Sequence, residues 1–379
     1  MGRRFACGFR GRVVSRVIFL ALLSVAAYQV LALLACIIHL RRRDLLSSTR
    51  PPVSILKPIY GVDDHFYASI RSHALIAYPN FEILFGVRDS SDNALPLLQR
   101  LQAEYPQVSI RIIPCHTWAL NAKVGSLIDL VTEARHSICV VNDSDIVVEP
   151  DYLDKVTFPL EDKDVGLVTC LYRAGADSFP SKWEALGIAT EFAPSALVAP
   201  LVGVKEFGLG STLAFRKSDL ESIGGFEKIA DYIADDYQLG KRISQAGKRV
   251  HLLRMAVMTH LGSGSWKSVW EHQVRWARTI RLSRGAYYGL PIANASLWAT
   301  GAAFFGWWEA AAALVALRLL VGLVSGIFVL RDPITMGLWW LMPARDLWGF
   351  AVWVAGALNI PVMWRGKRLQ LDDKGRIVL

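Results

Sequence analysis

Ser137-Ile138-Cys139-Val140-Val141-Asn142-Asp143-Ser144-Asp145 reads as a short, β-branched strand that empties into a loop carrying two carboxylates. Comparable runs precede it at residues 53–56, 81–87 and 108–113, bounded by Pro, Asn, Asp or Gly. Between them, residues 66–77, 94–103 and 123–134 carry apolar side chains at helical spacing. Strand and helix alternating at this pitch predict a parallel sheet covered on both faces, hence an α/β fold. Such sheets bind ligands beyond the carboxyl ends of their strands, so the polar loop residues there are the candidates for chemistry.

The run 81–87 ends in Arg88-Asp89-Ser90-Ser91-Asp92, where Asp89 and Asp92 are placed to accept hydrogen bonds from a base or ribose. Acidic turn residues after strands also occur for purely local reasons. Asp143 and Asp145 can share one divalent cation, Mg²⁺ or Mn²⁺, whose remaining positions take diphosphate oxygens. A bound cation would neutralise the charge that develops on a departing nucleotide diphosphate; a solvated Asx turn is the plainer alternative. Asp235 and Asp236 lie between aromatic residues ahead of a helical run at 238–245. Partial desolvation there would raise a carboxylate's pKa and suit it to take a proton from a hydroxyl, while helix N-capping could occupy one of the two.

On a helix beginning near Ser268, the spacing of His272, Arg275 and Trp276 puts them on about one face. Arg offers diphosphate a rigid fork of donors and Trp offers a sugar ring a flat wall; a basic helix on a membrane surface is the alternative. Lys123 is a candidate phosphate or loop-ordering contact, and His260 a third metal ligand or a structural histidine. The run Gly208-Leu209-Gly210-Ser211-Thr212 lacks the lysine and spacing of a phosphate loop and reads as a close-approach loop near the donor sugar.

With 53% hydrophobic residues and 13 Trp, the chain is too apolar for an ordinary soluble enzyme, and its polar stretches imply a mixed membrane and soluble build. Residues 17–40 contain no Asp, Glu, Lys or Arg and could cross a hydrocarbon core of ~30 Å. That length exceeds the roughly 7–15 apolar residues of a secretory signal, so the segment reads as an anchor. Residues 297–330 and 338–363 turn apolar again, enough for two or three further spans, some re-entrant. Glu309, Arg318, Arg331, Asp332, Arg345 and Asp346 interrupt them and require partners or an interface. The expected organisation is an anchor at 1–45, a catalytic domain at 50–290, membrane helices at 291–364 and a basic tail at 365–379. The net charge of +9 gathers beside apolar segments, at Arg41–Arg43 and at Arg365, Lys367 and Arg368, which favours anionic lipid headgroups over nucleic acid. Five scattered cysteines without a Cys-x-x-Cys spacing support neither a disulfide framework nor a zinc site, and fit a reducing compartment.

Taken in order, these residues resemble the ceramide glucosyltransferase family, a lipid-directed branch of the inverting GT-A glycosyltransferases. The resemblance runs through Val53-Ser54-Ile55-Leu56-Lys57-Pro58, Gly61-Val62-Asp63, Asp89 and Asp92, Asp143, the 233–237 block, Arg275-Trp276 and Trp364-Arg365-Gly366-Lys367-Arg368. It implies a Rossmann-like, mostly parallel GT-A domain between N-terminal and C-terminal transmembrane helices. It further implies metal-dependent transfer with inversion from a UDP-sugar, glucose first, to the hydroxyl of a ceramide-like membrane lipid, with Asp236 as base. In that reading the uridine lies against Asp89 and Asp92, and Asp143 and Asp145 hold the metal. Two features depart from the family pattern: His272 stands where Gln or Arg is usual, and both Asp143 and Asp145 are present where animal members usually keep one Asp. Bacterial hopanoid-modifying transferases that use UDP-N-acetylglucosamine are also similar. A processive polysaccharide synthase and a non-enzymatic membrane scaffold remain as other classes. Nucleotide sugars are made in the cytoplasm, so the catalytic domain is expected to face it, at a bacterial inner membrane or a Golgi-type membrane. Arg3, Arg4, Arg10, Arg12 and Arg16 precede the first span and Arg41–Arg43 follow it, so loop charge alone does not set the orientation.

Overall fold

The computed structural model describes residues 2–283, 285–358, 362–364 and 367–378. Seven strands form the main sheet: β1 (Val53–Ile59), β2 (Phe81–Val87), β3 (Ser109–Pro114), β4 (Ile138–Val141), β5 (Val165–Gly175), β6 (Leu213–Arg216) and β7 (Arg249–His260). Their order is β3-β2-β1-β4-β6-β5-β7. β1, β2 and β4 are buried along almost their whole length, as apolar runs covered on both faces must be. The expected strands are present within one to three residues, and helices Phe66–Ala74, Leu95–Glu104 and Ala122–Glu133 lie between them. The sheet is parallel except at β6, which runs antiparallel between β4 and β5. Because β6 is reversed, the loop that enters it opens on the same edge as the carboxyl ends of the parallel strands.

Among the described residues, two helices are long and apolar enough to cross a membrane, Ile18–Arg41 and Trp308–Val329. The first belongs to a continuous helix, Gly2–Arg41, and it packs into the body of the protein. Its Ala32, Ala35 and Cys36 are buried with Leu171 of β5, with Leu197 and Val198 of helix Ala193–Leu201, and with Phe207 and Leu209. The later apolar region is more broken than expected. It forms helices Ala295–Phe304 and Trp308–Leu323, a π-helical continuation Val324–Val329, and helices Pro333–Leu338 and Met342–Ala357.

Most charges that interrupt this region have found partners. Arg318 donates through Nε to Asp346 at 2.9 Å, Arg345 lies 3.3 Å from Glu191, and Asp332 accepts from Thr335 N and Oγ1. Unpaired, such charges would be costly at that depth. The four cysteines whose side chains are described, Cys36, Cys115, Cys139 and Cys170, are free and buried.

The tail, read from sequence as a basic segment, carries short strands. Antiparallel strands β8 (Val362–Trp364), β9 (Lys367–Leu371) and β10 (Ile377–Val378) follow the last helix. Ile377 N donates to Asp231 O at 2.7 Å and Ile233 N to Gly375 O at 3.2 Å, so the tail docks on the loop ahead of Asp235. Arg365 and Gly366 lie outside the described residues.

Candidate active site

Three separate segments deliver charged side chains to the carboxyl edge of the sheet. β4 ends directly in Asn142-Asp143, while helix Ala122–Glu133 begins there with Asn121 as its cap, its Oδ1 accepting from Lys123 N at 3.1 Å. The Lys123 ammonium is thereby held 2.8 Å from Asp143 Oδ1 and 3.0 Å from Asp235 Oδ2. Burial alone would lower the Lys123 pKa, but Asp143 and then Asp235 outweigh it and hold the lysine firmly charged. Asn121 also fixes the third segment, donating through Nδ2 to Tyr232 O at 2.8 Å.

Asp235 and Asp236 open helix Asp235–Gln245, whose cap position is Ala234, so neither aspartate is the N-cap. Asp236 accepts from Gly210 N at 2.9 Å and from Tyr237 N at 2.7 Å. Burial and then the neighbouring Asp235 push its carboxyl up to about 6, with Lys123 pulling the other way. A side-chain carbon at Gly210 would lie 3.4 Å from both Asp143 Oδ2 and Asp236 Oδ2, so these acids converge on one glycine. Close approach also explains Gly208, where a Cβ would come within 2.3 Å of Asp236 O. The 208–212 run is therefore a close-approach loop against the acids.

Asp145 accepts from Thr259 Oγ1 at 2.5 Å, and burial followed by the charge of Asp143 raises its pKa. Behind the loop, fully buried Lys57 donates to Asp143 O at 2.9 Å and sits 3.3 Å from His73 Nε2. Burial lowers the Lys57 ammonium to about 7 against the pull of Asp145 and Asp143. Lys57 and His73 were not singled out for this role from sequence, although a lysine inside an apolar strand run is a visible anomaly.

The acids fit a divalent ion shared with a diphosphate. Asp143 and Asp145 are oxygen donors on one cavity wall, and their mutual repulsion is what a bound cation relieves. They do not form a closed protein cage: among the described residues no three His, Cys, Asp or Glu side chains cluster to hold a metal. His260 is a correction in this respect. Period-two alternation in β7 turns Thr259 towards the cavity and His260 away, so its ring stacks on His65 at 4.1 Å while His65 bonds Asp177 at 2.7 Å.

Asp89 and Asp92 lie outside the cavity wall and shape the loop beside it. Asp89 accepts from Ser91 N and Oγ, and Asp92 from Gly61 N and Ala94 N. The cavity-lining residues there are Gly61 and Arg88, the latter also donating to Thr117 O at 2.7 Å. His272, Arg275 and Trp276 line the cavity together from helix Trp266–Ser283, with His272 Nδ1 2.6 Å from buried Glu184 and its ring 4.5 Å from Trp276. Glu184 is far away in sequence and carried no signal.

These residues share one cavity of about 1720 Å³, which contains Lys123, Asp143, Asp145, Asp235, Asp236 and Arg275 and continues to Tyr28 of the N-terminal helix. An acidic cluster around Lys123, a base-like carboxyl and apolar walls thus occur in one space.

Known proteins resemble this chain in sequence and in fold. The model of glycosyl transferase family 21 matches residues 17–377. Ceramide glucosyltransferase 1 of Caenorhabditis elegans is 26% identical over 274 residues, covering 72% of this chain and 58% of that protein. Ceramide glucosyltransferase 3 of the same organism is 27% identical over 235 residues, covering 61% of this chain and 51% of its own length. The chain therefore spans about half the length of the curated relatives it matches. A solved mannosyltransferase from Pyrobaculum calidifontis, in complex with GDP-Man and Mn²⁺, superposes with a TM-score of 0.52 and 17% identity, over 90% of this chain and 97% of that one. At that identity the likeness is one of fold, and the fold is GT-A-like: α/β with a mostly parallel sheet.

Proposed function

We propose a function for this chain from the premise that it belongs to glycosyl transferase family 21, whose model spans residues 17–377. It transfers a hexosyl group, glucose first among candidates, from a UDP-sugar to the hydroxyl of a ceramide-like membrane lipid, with inversion. The observation that carries this reading is the convergence of Asp143, Lys123, Asp235 and Asp236 in one cavity whose far wall is a helix apolar enough to span a bilayer.

In the proposed reaction the acceptor hydroxyl gives its proton to the Asp236 carboxylate. The freed oxygen forms a bond to the anomeric carbon from the face opposite the diphosphate. The bond from that carbon to the diphosphate oxygen breaks, and its electron pair leaves with UDP. One base and no enzyme nucleophile suffice for a single displacement, unlike the paired carboxylates of retaining glycosidases. A carboxyl near 6 is mostly ionised at neutral pH yet basic enough to accept the proton, which is the balance general base catalysis requires.

Backbone N–H groups of Gly210 and Tyr237 orient that carboxylate. Lys123 supplies fixed positive charge beside the diphosphate, and Arg275 and Trp276 offer a phosphate fork and a sugar-facing wall. Asp143 and Asp145 would hold Mg²⁺ or Mn²⁺, which when bound neutralises the leaving diphosphate. The loop of Asp89 and Asp92, with Arg88 at its root, is the proposed rest for the nucleoside. The catalytic domain then works at a membrane surface on the side that holds the nucleotide sugar, the cytoplasm.

The test is a panel: purified full-length protein with UDP-sugars and either ceramide or hopanoid lipid, products identified by mass. Glucosylated ceramide is expected. An N-acetylhexosamine on a hopanoid would redirect the acceptor assignment, and a polymer would indicate a processive synthase. Activity that survives exhaustive chelation would overturn the role given to Asp143 and Asp145.

A further inference from the structure

The acids occupy only one end of the cavity. From Gly210, which touches Asp143 and Asp236, the chain runs back through Leu209 to Phe207, which pack with Ala32 and Ala35 of the N-terminal helix and with Leu197 and Val198. The cavity follows that same path. Its far arm is bounded by the N-terminal helix, by helix Ala193–Leu201 and by the 285–293 segment.

Ser195, Ala196, Val198 and Ala199 line the arm from helix Ala193–Leu201, with Phe192 before it and Val202 after it. At Ala196 and Ala199 the lining side chain is a single methyl group, so a longer side chain there would reach into the cavity. The N-terminal helix forms the opposite wall and is tied to the other two. Tyr28 Oη lies 3.1 Å from Ser195 Oγ, and Gln29 Nε2 donates to Ala293 O at 2.8 Å. These polar groups are hydrogen-bonded within the wall, and Phe192, Val198, Leu290 and Ile292 add apolar lining beside them.

Depth and mouth both point to one occupant. Tyr28 lies 13 residues before Arg41 in the candidate span Ile18–Arg41, roughly 20 Å along a helix. Of the residues lining this arm, Val202 is 59% exposed and Leu290 39%, an apolar border beside a helix apolar enough to cross a membrane.

We propose that this apolar arm is the berth of the acceptor's linear hydrocarbon chain, and that Ala196 and Ala199 set the chain length it admits. The chain lies between the three walls while the head-group hydroxyl reaches Asp236 at the polar end. The assignment rests on the functional reading above, and its test separates the two.

A ceramide carrying a photoactivatable diazirine in its acyl chain is crosslinked to the full-length protein in mixed micelles, and the labelled peptides are sequenced. Label on residues 192–202 and on the segment containing Tyr28 is the expected result. Label confined to other surfaces overturns the berth even if sugar is transferred. Label in the arm without any glycosylated product leaves the berth standing and removes the proposed reaction.

As a second arm, Ala199→Trp is compared with the wild type on palmitoyl and hexanoyl ceramide. The ratio of kcat/KM for the long acceptor to that for the short one should fall on the order of tenfold, the effect of leaving about two methylenes unburied. UDP binding by the variant reports that the donor side is folded, and an unchanged ratio in a variant that binds UDP rejects Ala199 as a length gauge.

Discussion

Asp236 and Lys57 are both ionisable groups buried at a cost, and they tilt stability with pH in opposite directions. Asp236 moves from an ordinary 3.8 to about 6, so as pH rises between those values the unfolded chain ionises first and the folded state loses ground. Asp236→Asn should therefore abolish that loss, and thermal unfolding of the two proteins should diverge between pH about 4 and 6. The same substitution should lower kcat by at least ~10²-fold, and wild-type kcat/KM should climb as pH passes about 6. Full turnover by a folded Asn variant would remove Asp236 from the chemistry. Lys57 drops from 10.5 to about 7, so its buried charge weighs on the fold below pH 7 and the penalty fades as pH rises towards 10.5. Urea unfolding of Lys57→Met should lack that upward slope. Asp236 was legible as an acid between aromatic residues, whereas His73, the neighbour of Lys57, carried no such mark. Their meeting depends on β1 and helix Phe66–Ala74 packing face to face.

Elements matter here through the loops they hold. The segment 230–233, just before Asp235, is pinned from one side by Asn121 and from the other by the tail strands through Asp231 and Ile233. Removing residues 372–379 should leave the sheet folded but free this loop. Turnover should fall roughly tenfold while UDP affinity changes less, as expected when reacting groups are misplaced and not deleted. Equal kcat in the truncated protein would show that the tail's contact is incidental. The expected strands rested on apolar runs bounded by turn residues, which is why β1 to β4 could be read locally. β5, β6 and β7 did not stand out: β6 is four residues long, and β7 alternates arginine and histidine with apolar positions. The missed reversal of β6 is what brings Gly210 to the acids.

At the scale of the molecule, the N-terminal helix is more than an anchor. It contributes Ala32, Ala35 and Cys36 to a core shared with β5 and the Phe207–Gly210 loop, and forms one wall of the cavity. A fragment of residues 50–290 should therefore be poorly soluble and inactive, because it exposes that core and leaves the cavity open. Expression in the soluble fraction with retained transfer activity would contradict the shared core. Local pattern determined a good deal by itself: the α/β class, the apolar segments, and the acids and basic helix face to which the proposed chemistry is assigned. Those follow from periodicity and from residue type at the ends of strands, which neighbouring residues suffice to specify. Which acids share a cavity, that His260 faces away from them, that Asp89 bonds its own loop while Asp92 also holds Gly61, and that the tail docks on the segment ahead of Asp235 were decided by tertiary structure. The reason is physical: convergence depends on strand order, on the reversal of β6 and on backbone approaches that only Gly208 and Gly210 allow, all relations between residues far apart in the chain.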